Sequence, residues 1–138
     1  MQLAVQLGGE RGQPVRVVQR GGRSGPNYEA SDVAKALDLI AGAGLPRRLM
    51  VDASHGNSGK DHRRQPAVTA AIAEQVTAGE RGLTGVMLES FLVEGKQEPG
   101  PPDTITYGQS VTDACMDFGT TAEVLHGLAA AVRSRRDA

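Results

Sequence analysis

Four side chains in this chain carry the groups that bind anions and divalent cations: Arg20, His55, Glu89 and Asp113. His55 sits in Met50-Val51-Asp52-Ala53-Ser54-His55-Gly56-Asn57-Ser58-Gly59-Lys60, where the apolar run Leu49 to Val51 gives way to a small, polar loop. Glu89 ends a second apolar run, Gly85-Val86-Met87-Leu88, and Asp113 lies in the loop beyond it. Arg20 ends Val15 to Gln19 and opens onto Gly21-Gly22, where a backbone can approach a ligand closely and a guanidinium can fork onto a carboxylate or phosphate. One imidazole with two carboxylates suits a divalent first-row cation such as Mn, Fe, Co or Zn. The arginine would neutralise an anionic substrate beside it. The same spacing also fits an ordinary loop histidine, with Glu89 and Asp113 capping helices or pairing with surface arginines. His62 and His126 read as surface residues, and Cys115, two residues past Asp113, as a packing residue.

These residues need strands to carry them. Leu3 to Leu7 and Val15 to Gln19 are short strand candidates joined by the turn-rich segment Gly8–Pro14, as a hairpin or as one strand with an edge ribbon. Ser31 is placed to cap a helix whose apolar face is Val33, Ala36, Leu37 and Ile40, and Gly42 and Gly44 end it. After the Leu49 strand comes a helix with Val68, Ala71, Ile72 and Val76 on one face; Pro66 fits only its first turn, which leaves Asp61 to Gln65 as loop. Glu94 to Asp103, rich in Gly and Pro, reads as loop. Thr120 and Glu123 have the spacing of a capping box for a last helix with Val124, Leu125, Leu128, Ala131 and Val132 buried. Alternating short strands and helices predict an α/β fold with a parallel sheet and right-handed crossovers, which places ligands at the carboxyl ends of the strands.

Length and composition bound the rest. The chain has 138 residues, enough for one domain, 1–138, with a real core. A net charge of -1 provides no global field for nucleic acid or membrane, and aromatics at 3% argue against stacking on bases. The sequence has no membrane-spanning run and no leader at Met1, and its single cysteine suits a reducing compartment, so a cytoplasmic protein is expected.

Arg20-Gly21-Gly22, Pro26-Asn27-Tyr28, Ala43-Gly44-Leu45-Pro46, Asp52 to Ser58, Gly85 to Ser90, Leu92-Val93-Glu94-Gly95, Tyr107-Gly108 and Thr112-Asp113-Ala114-Cys115 follow one family's order and nearly its spacing. The chain resembles the C-terminal portion of type I 3-deoxy-D-arabino-heptulosonate 7-phosphate (DAHP) synthase, over essentially its whole length. Arg23-Ser24-Gly25 makes one loop a residue longer than the family's. The resemblance implies the last three units of a (β/α)8 TIM barrel, a half-barrel, plus an N-terminal strand or hairpin. It implies a transferase of the shikimate pathway that condenses phosphoenolpyruvate with erythrose 4-phosphate using a divalent metal. Matched residue by residue, Arg20 corresponds to the phosphoenolpyruvate-binding arginine, and His55, Glu89 and Asp113 to metal ligands. The family's cysteine ligand, its Lys-Pro-Arg segment and the residues that hold the two phosphates all precede the region present here.

A split DAHP synthase is therefore expected, completed by a complementary half-barrel chain. The alternatives are a non-catalytic regulatory subunit and a homodimer, in which Leu3 to Leu7 would act as a fourth strand so that two chains close a barrel with a new metal-dependent activity. Val17, Val18, Val51, Met87 and Leu88 would line either the barrel interior or the helix-facing layer, and the interior set would need a partner.

Overall fold

The computed structural model describes residues 17–138 and the backbone of Gln2–Gln6. Three parallel strands form its centre: β2 (Val18–Gln19), β3 (Leu49–Asp52) and β4 (Leu83–Glu89), lying side by side in that order. A preceding strand, β1 (Gln2–Gln6), covers the outer edge of β4. Each parallel strand is followed by a long helix: α1 (Ala30–Gly42), α3 (Gln65–Thr77) and α4 (Phe118–Asp137). A single-turn helix, α2 (His55–Ser58), and a 3-10 turn, His62–Arg64, bridge β3 to α3. The fold is thus α/β with parallel strands, as the alternation of apolar runs predicts.

The core lies between the sheet and the helices. Val33, Leu37 and Ile40 of α1 meet Leu49 and Val51 of β3, Val68, Ile72 and Val76 of α3, Val86 and Leu88 of β4, and Leu128 and Ala131 of α4. Side chains alternate along a strand. The pairings Val18 with Met50 and Asp52 with Met87 therefore put these four on the face away from the helices, with Glu89 two residues further on. Of the five apolar residues expected to line one layer or the other, Val51 and Leu88 are core and Val17 packs against it. Of those five, Val18 and Met87 lie on the other face, beside Met50.

Several boundaries differ from expectation. The described parts of the first two strand candidates, Gln2–Gln6 and Val18–Gln19, do not pair with each other. The strand Gln2–Gln6 instead runs antiparallel to β4, from Gln2 opposite Glu89 to Gln6 opposite Gly85. Its direction opposes the other three strands, so it does not act as the fourth parallel strand that a homodimeric barrel would need. Leu7 to Arg16, with the expected connecting turn, lie outside the described residues. α1 begins with Glu29, not Ser31, at its N-cap. α4 begins two residues before Thr120: Asp117 caps it by accepting the Thr120 backbone N–H at 2.7 Å, and the Thr120–Glu123 capping box does not form. Where a loop was expected, Val93–Lys96 forms β5, paired with β6 (Gln109–Ser110) as a small parallel ribbon.

Candidate metal and anion site

The four singled-out residues meet at the carboxyl ends of β2, β3 and β4. His55 leaves β3 in the left-handed region, φ +47°, a conformation that costs a non-glycine residue roughly 1–2 kcal/mol. Such strain persists only where surrounding contacts enforce it. Here they do. His55 Nδ1 lies 2.8 Å from Asp52 Oδ2 and 2.9 Å from Ser54 Oγ. The Ser54 hydroxyl and backbone N–H both donate to Asp52 Oδ1. With its own proton spent on Asp52, the Ser54 oxygen faces the ring as an acceptor. Both neighbours of Nδ1 therefore call for a proton on that nitrogen.

In the neutral ring the Nε2 lone pair then points at carboxylates: Glu89 Oε1 at 3.4 Å and Asp113 Oδ2 at 4.0 Å. One ligand atom from each of the three residues falls within 4.8 Å of the other two. Converging lone pairs repel unless a cation sits among them. One nitrogen and two carboxylate donors suit a divalent first-row cation, so the residues present fit such an ion.

Each ligand is held by its own device. Gln65, buried at the start of α3, donates its amide to the Glu89 carbonyl at 3.1 Å and accepts the Glu89 N–H at 2.9 Å, which pins the end of β4. Asp113 is exposed and reaches the site because its loop folds back: Cys115 exchanges two backbone hydrogen bonds with Gly95, and Met116 N–H donates to the Glu89 carbonyl. Cys115 packs, with its thiol donating to the Asp113 carbonyl at 3.4 Å. His126 is exposed, as expected, whereas His62 is largely buried, its Nε2 lying 3.5 Å from a Glu94 carboxylate oxygen.

Arg20 joins the group through Asp52, donating its Nε–H to Oδ2 at 3.0 Å while half its side chain stays open to solvent. Its two terminal nitrogens carry four further N–H donors with which an anion can pair. The loop after it is stapled to the His55 loop. Gly21 N–H donates to Asn27 Oδ1, Asn27 N–H to Asn57 Oδ1, and the Asn57 amide to the carbonyls of Gln19 and Asp52. Within this loop Gly22 and Gly25 exchange backbone hydrogen bonds across a tight turn. The residue types and strand-end positions of Arg20, His55 and Glu89 were legible in sequence. Asp52 and Gln65 were not, since each acts through a partner that only the fold supplies.

Burial raises the Glu89 carboxyl above the usual carboxylate range; Asp113 and Asp52 push the same way and His55 opposes them. The folded state therefore holds the Glu89 proton more tightly than the unfolded state. The stability this contributes is full below the ordinary carboxylate pKa and is lost as pH rises through the elevated one. At pH 8 without metal, Glu89→Gln is expected to raise the melting temperature, modestly because solvent screens part of the burden, and to remove the stabilisation that Mn2+ gives the wild type. A melting temperature lowered by the substitution would show that ionised Glu89 is not a burden on the fold.

Residues 5–126 match the DAHP synthetase I family. The chain is 48% identical over 124 residues to the tyrosine-inhibited phospho-2-dehydro-3-deoxyheptonate aldolase of Schizosaccharomyces pombe, covering 87% of this chain and 33% of that protein. It is 48% identical over 129 residues to the phospho-2-dehydro-3-deoxyheptonate aldolase of Corynebacterium glutamicum, covering 88% and 34%. The solved phospho-2-dehydro-3-deoxyheptonate aldolase of Francisella tularensis superposes with a TM-score of 0.82 at 44% identity, again covering 86% of this chain and 34% of the other. The chain thus spans about a third of the length of the relatives it matches. With a match over most of its length and a metal-competent rim on the same fold, the chain belongs to the DAHP synthetase I family.

Proposed function

We propose that this chain is the last three β/α units of a TIM-barrel DAHP synthase and supplies its metal ligands and one anion-binding arginine, as a single cytoplasmic domain. A complementary polypeptide supplies the remaining strands and the contacts to the two sugar and enol phosphates. The supporting observation is the convergence of His55 Nε2, Glu89 and Asp113 at the carboxyl ends of neighbouring parallel strands, with Arg20 fixed beside them. That is where barrel enzymes place their chemistry.

In the reaction, C3 of phosphoenolpyruvate forms a bond to the aldehyde carbon of erythrose 4-phosphate, and the aldehyde oxygen takes up a proton to become a hydroxyl. A water oxygen adds at C2 and the C2–O bond to phosphate breaks, leaving a ketone and inorganic phosphate; of the two water protons, one balances that taken up by the aldehyde oxygen and the other leaves with phosphate. His55, Glu89 and Asp113 would hold a divalent metal, which would supply Lewis acidity toward the aldehyde oxygen. Arg20 contributes a fixed positive charge: its Nε is anchored on Asp52, so the rest of the guanidinium is preorganised for the carboxylate or phosphate of the enol substrate. Gln65 and the Cys115–Gly95 pairing keep two carboxylates at the rim despite their mutual repulsion.

Titration of Mn2+ or Co2+ into the wild type and His55→Ala tests the metal site. Three protein donors leave coordination positions open, and the alanine variant is expected to lose the binding heat. Equal affinity in the two proteins would remove His55 from the ligand set and with it this reading.

A further inference from the structure

We infer that Asp52 is a positioning residue for both halves of the proposed site, a deepening that rests on the reading of His55 as a metal ligand. Its carboxylate is fully buried, yet it lies at a strand end on the face away from the helices, where a solvent-facing acid would be expected. It accepts four hydrogen bonds: two from Ser54, one from His55 Nδ1 and one from Arg20 Nε. The last two share the same oxygen, Oδ2. One carboxylate thus holds the imidazole and the guanidinium, which come from different strands, in a fixed relation.

Two consequences follow from this geometry. The bond to Nδ1 selects the imidazole tautomer whose Nε2 lone pair faces Glu89 and Asp113. Without it, an Nε2–H pointed at Glu89, 3.4 Å away, would be the favoured alternative and would block the cation. The bond to Arg20 Nε removes the rotational freedom of a long, half-exposed side chain, so the guanidinium plane is set before any anion arrives. Ser54 is the support that keeps Asp52 in place, because its hydroxyl and N–H occupy Oδ1 and leave Oδ2 for the two functional groups. Carboxylates that orient a ligating histidine in this way typically alter metal affinity by about 10–100-fold when removed.

The test has two readouts, neither of which is turnover. The first is the His55 tautomer in the metal-free wild type at pH 9, read from nitrogen-15 chemical shifts of the ring. The expected result is a proton on Nδ1; a proton on Nε2 overturns the inference, and this readout needs no variant to fold. The second is Mn2+ affinity of Asp52→Asn and Ser54→Ala, each checked by circular dichroism and thermal melting. Asp52→Asn is expected to bind Mn2+ about 10–100-fold more weakly and to show a mixture of tautomers, with Ser54→Ala moving the same way by less. Wild-type affinity in a folded Asp52→Asn protein whose binding still depends on His55 would overturn the role of Asp52 and leave the metal site standing. Absence of Mn2+ binding in the wild type, with Nδ1 protonated, would sink the metal reading while supporting the orienting contact.

Discussion

Purified alone and supplied with phosphoenolpyruvate, erythrose 4-phosphate and Mn2+, the chain is expected to form no measurable DAHP. Holding two reactants in register accounts for about 7–11 kcal/mol of a bimolecular barrier in the best cases. The described residues offer one anchored arginine for that task. A metal on three ligands can polarise an aldehyde, but it cannot keep the enol carbon within reach of it. Loss of positioning on that scale lowers the rate by about five to eight powers of ten. Adding a polypeptide that carries the first five β/α units of a relative should restore product in proportion to complex formed. His55→Ala should abolish the restored activity. Robust turnover by the chain without a partner would mean that copies of this sequence build a complete site among themselves, and the split-site proposal would fail.

The second large effect concerns two glycines at the junction of two loops. Gly21 and Gly56 lie face to face where the loops after β2 and β3 meet. A Cβ on Gly21 would stand 2.6 Å from the Gly56 carbonyl carbon, and one on Gly56 would stand 2.8 Å from the Arg20 carbonyl oxygen. Both obstacles are backbone, so no side-chain rotation relieves them. Gly21 also has φ +74°, which charges any other residue roughly 1–2 kcal/mol. Added to an overpacking cost of about 1–3 kcal/mol, Gly21→Ala should destabilise by roughly 2–5 kcal/mol. It should also weaken Mn2+ binding, because the loop that must move carries Arg20 and, through Asn27 and Asn57, the backbone around Asp52 and His55. Gly56→Ala should cost the steric part alone. Gly22→Ala, with open space around the new methyl, is the control and should melt like the wild type. If Gly21→Ala melts with that control, the two loops are not in the close contact described.

The sequence revealed those elements whose signal is local. Leu49 to Val51 and Val86 to Leu88 announce buried strands because a run apolar on both faces suits a central parallel strand. The change to polar residues just after them marks the strand ends that carry His55 and Glu89. Arg20 was legible for the same reason. Signals with several local solutions were misplaced. Near α1, Glu29 and Ser31 compete for the N-cap; near α4, Asp117 and Thr120 do, and packing of the apolar stripes decides between them. β5 was hidden because Val93-Glu94-Gly95-Lys96 has neither apolar alternation nor length, and it exists through long-range pairing with Gln109–Ser110 and Cys115. Asp52 was hidden in plain view. It reads as the polar residue that ends a strand, and its importance comes from four donors, three of them in its own loop and one on a neighbouring strand end.

The direction of β1 has a consequence for how a larger assembly could come together. Among the described residues, β2 hydrogen-bonds on one side only, while the outer side of β4 is already zipped to Gln2–Gln6 over five residue pairs. The sheet has a growing end and a stopped end. A completing chain can add its strand to β2 by simple accretion, but closing a ring of parallel strands at β4 requires peeling away an antiparallel ladder first. Final closure is then a strand exchange, with the old ladder unzipping as the new one forms. Its rate would be set by how firmly a short leading segment grips, and trimming that segment would speed assembly, with Glu89, opposite Gln2, the one site residue to lose a strand partner.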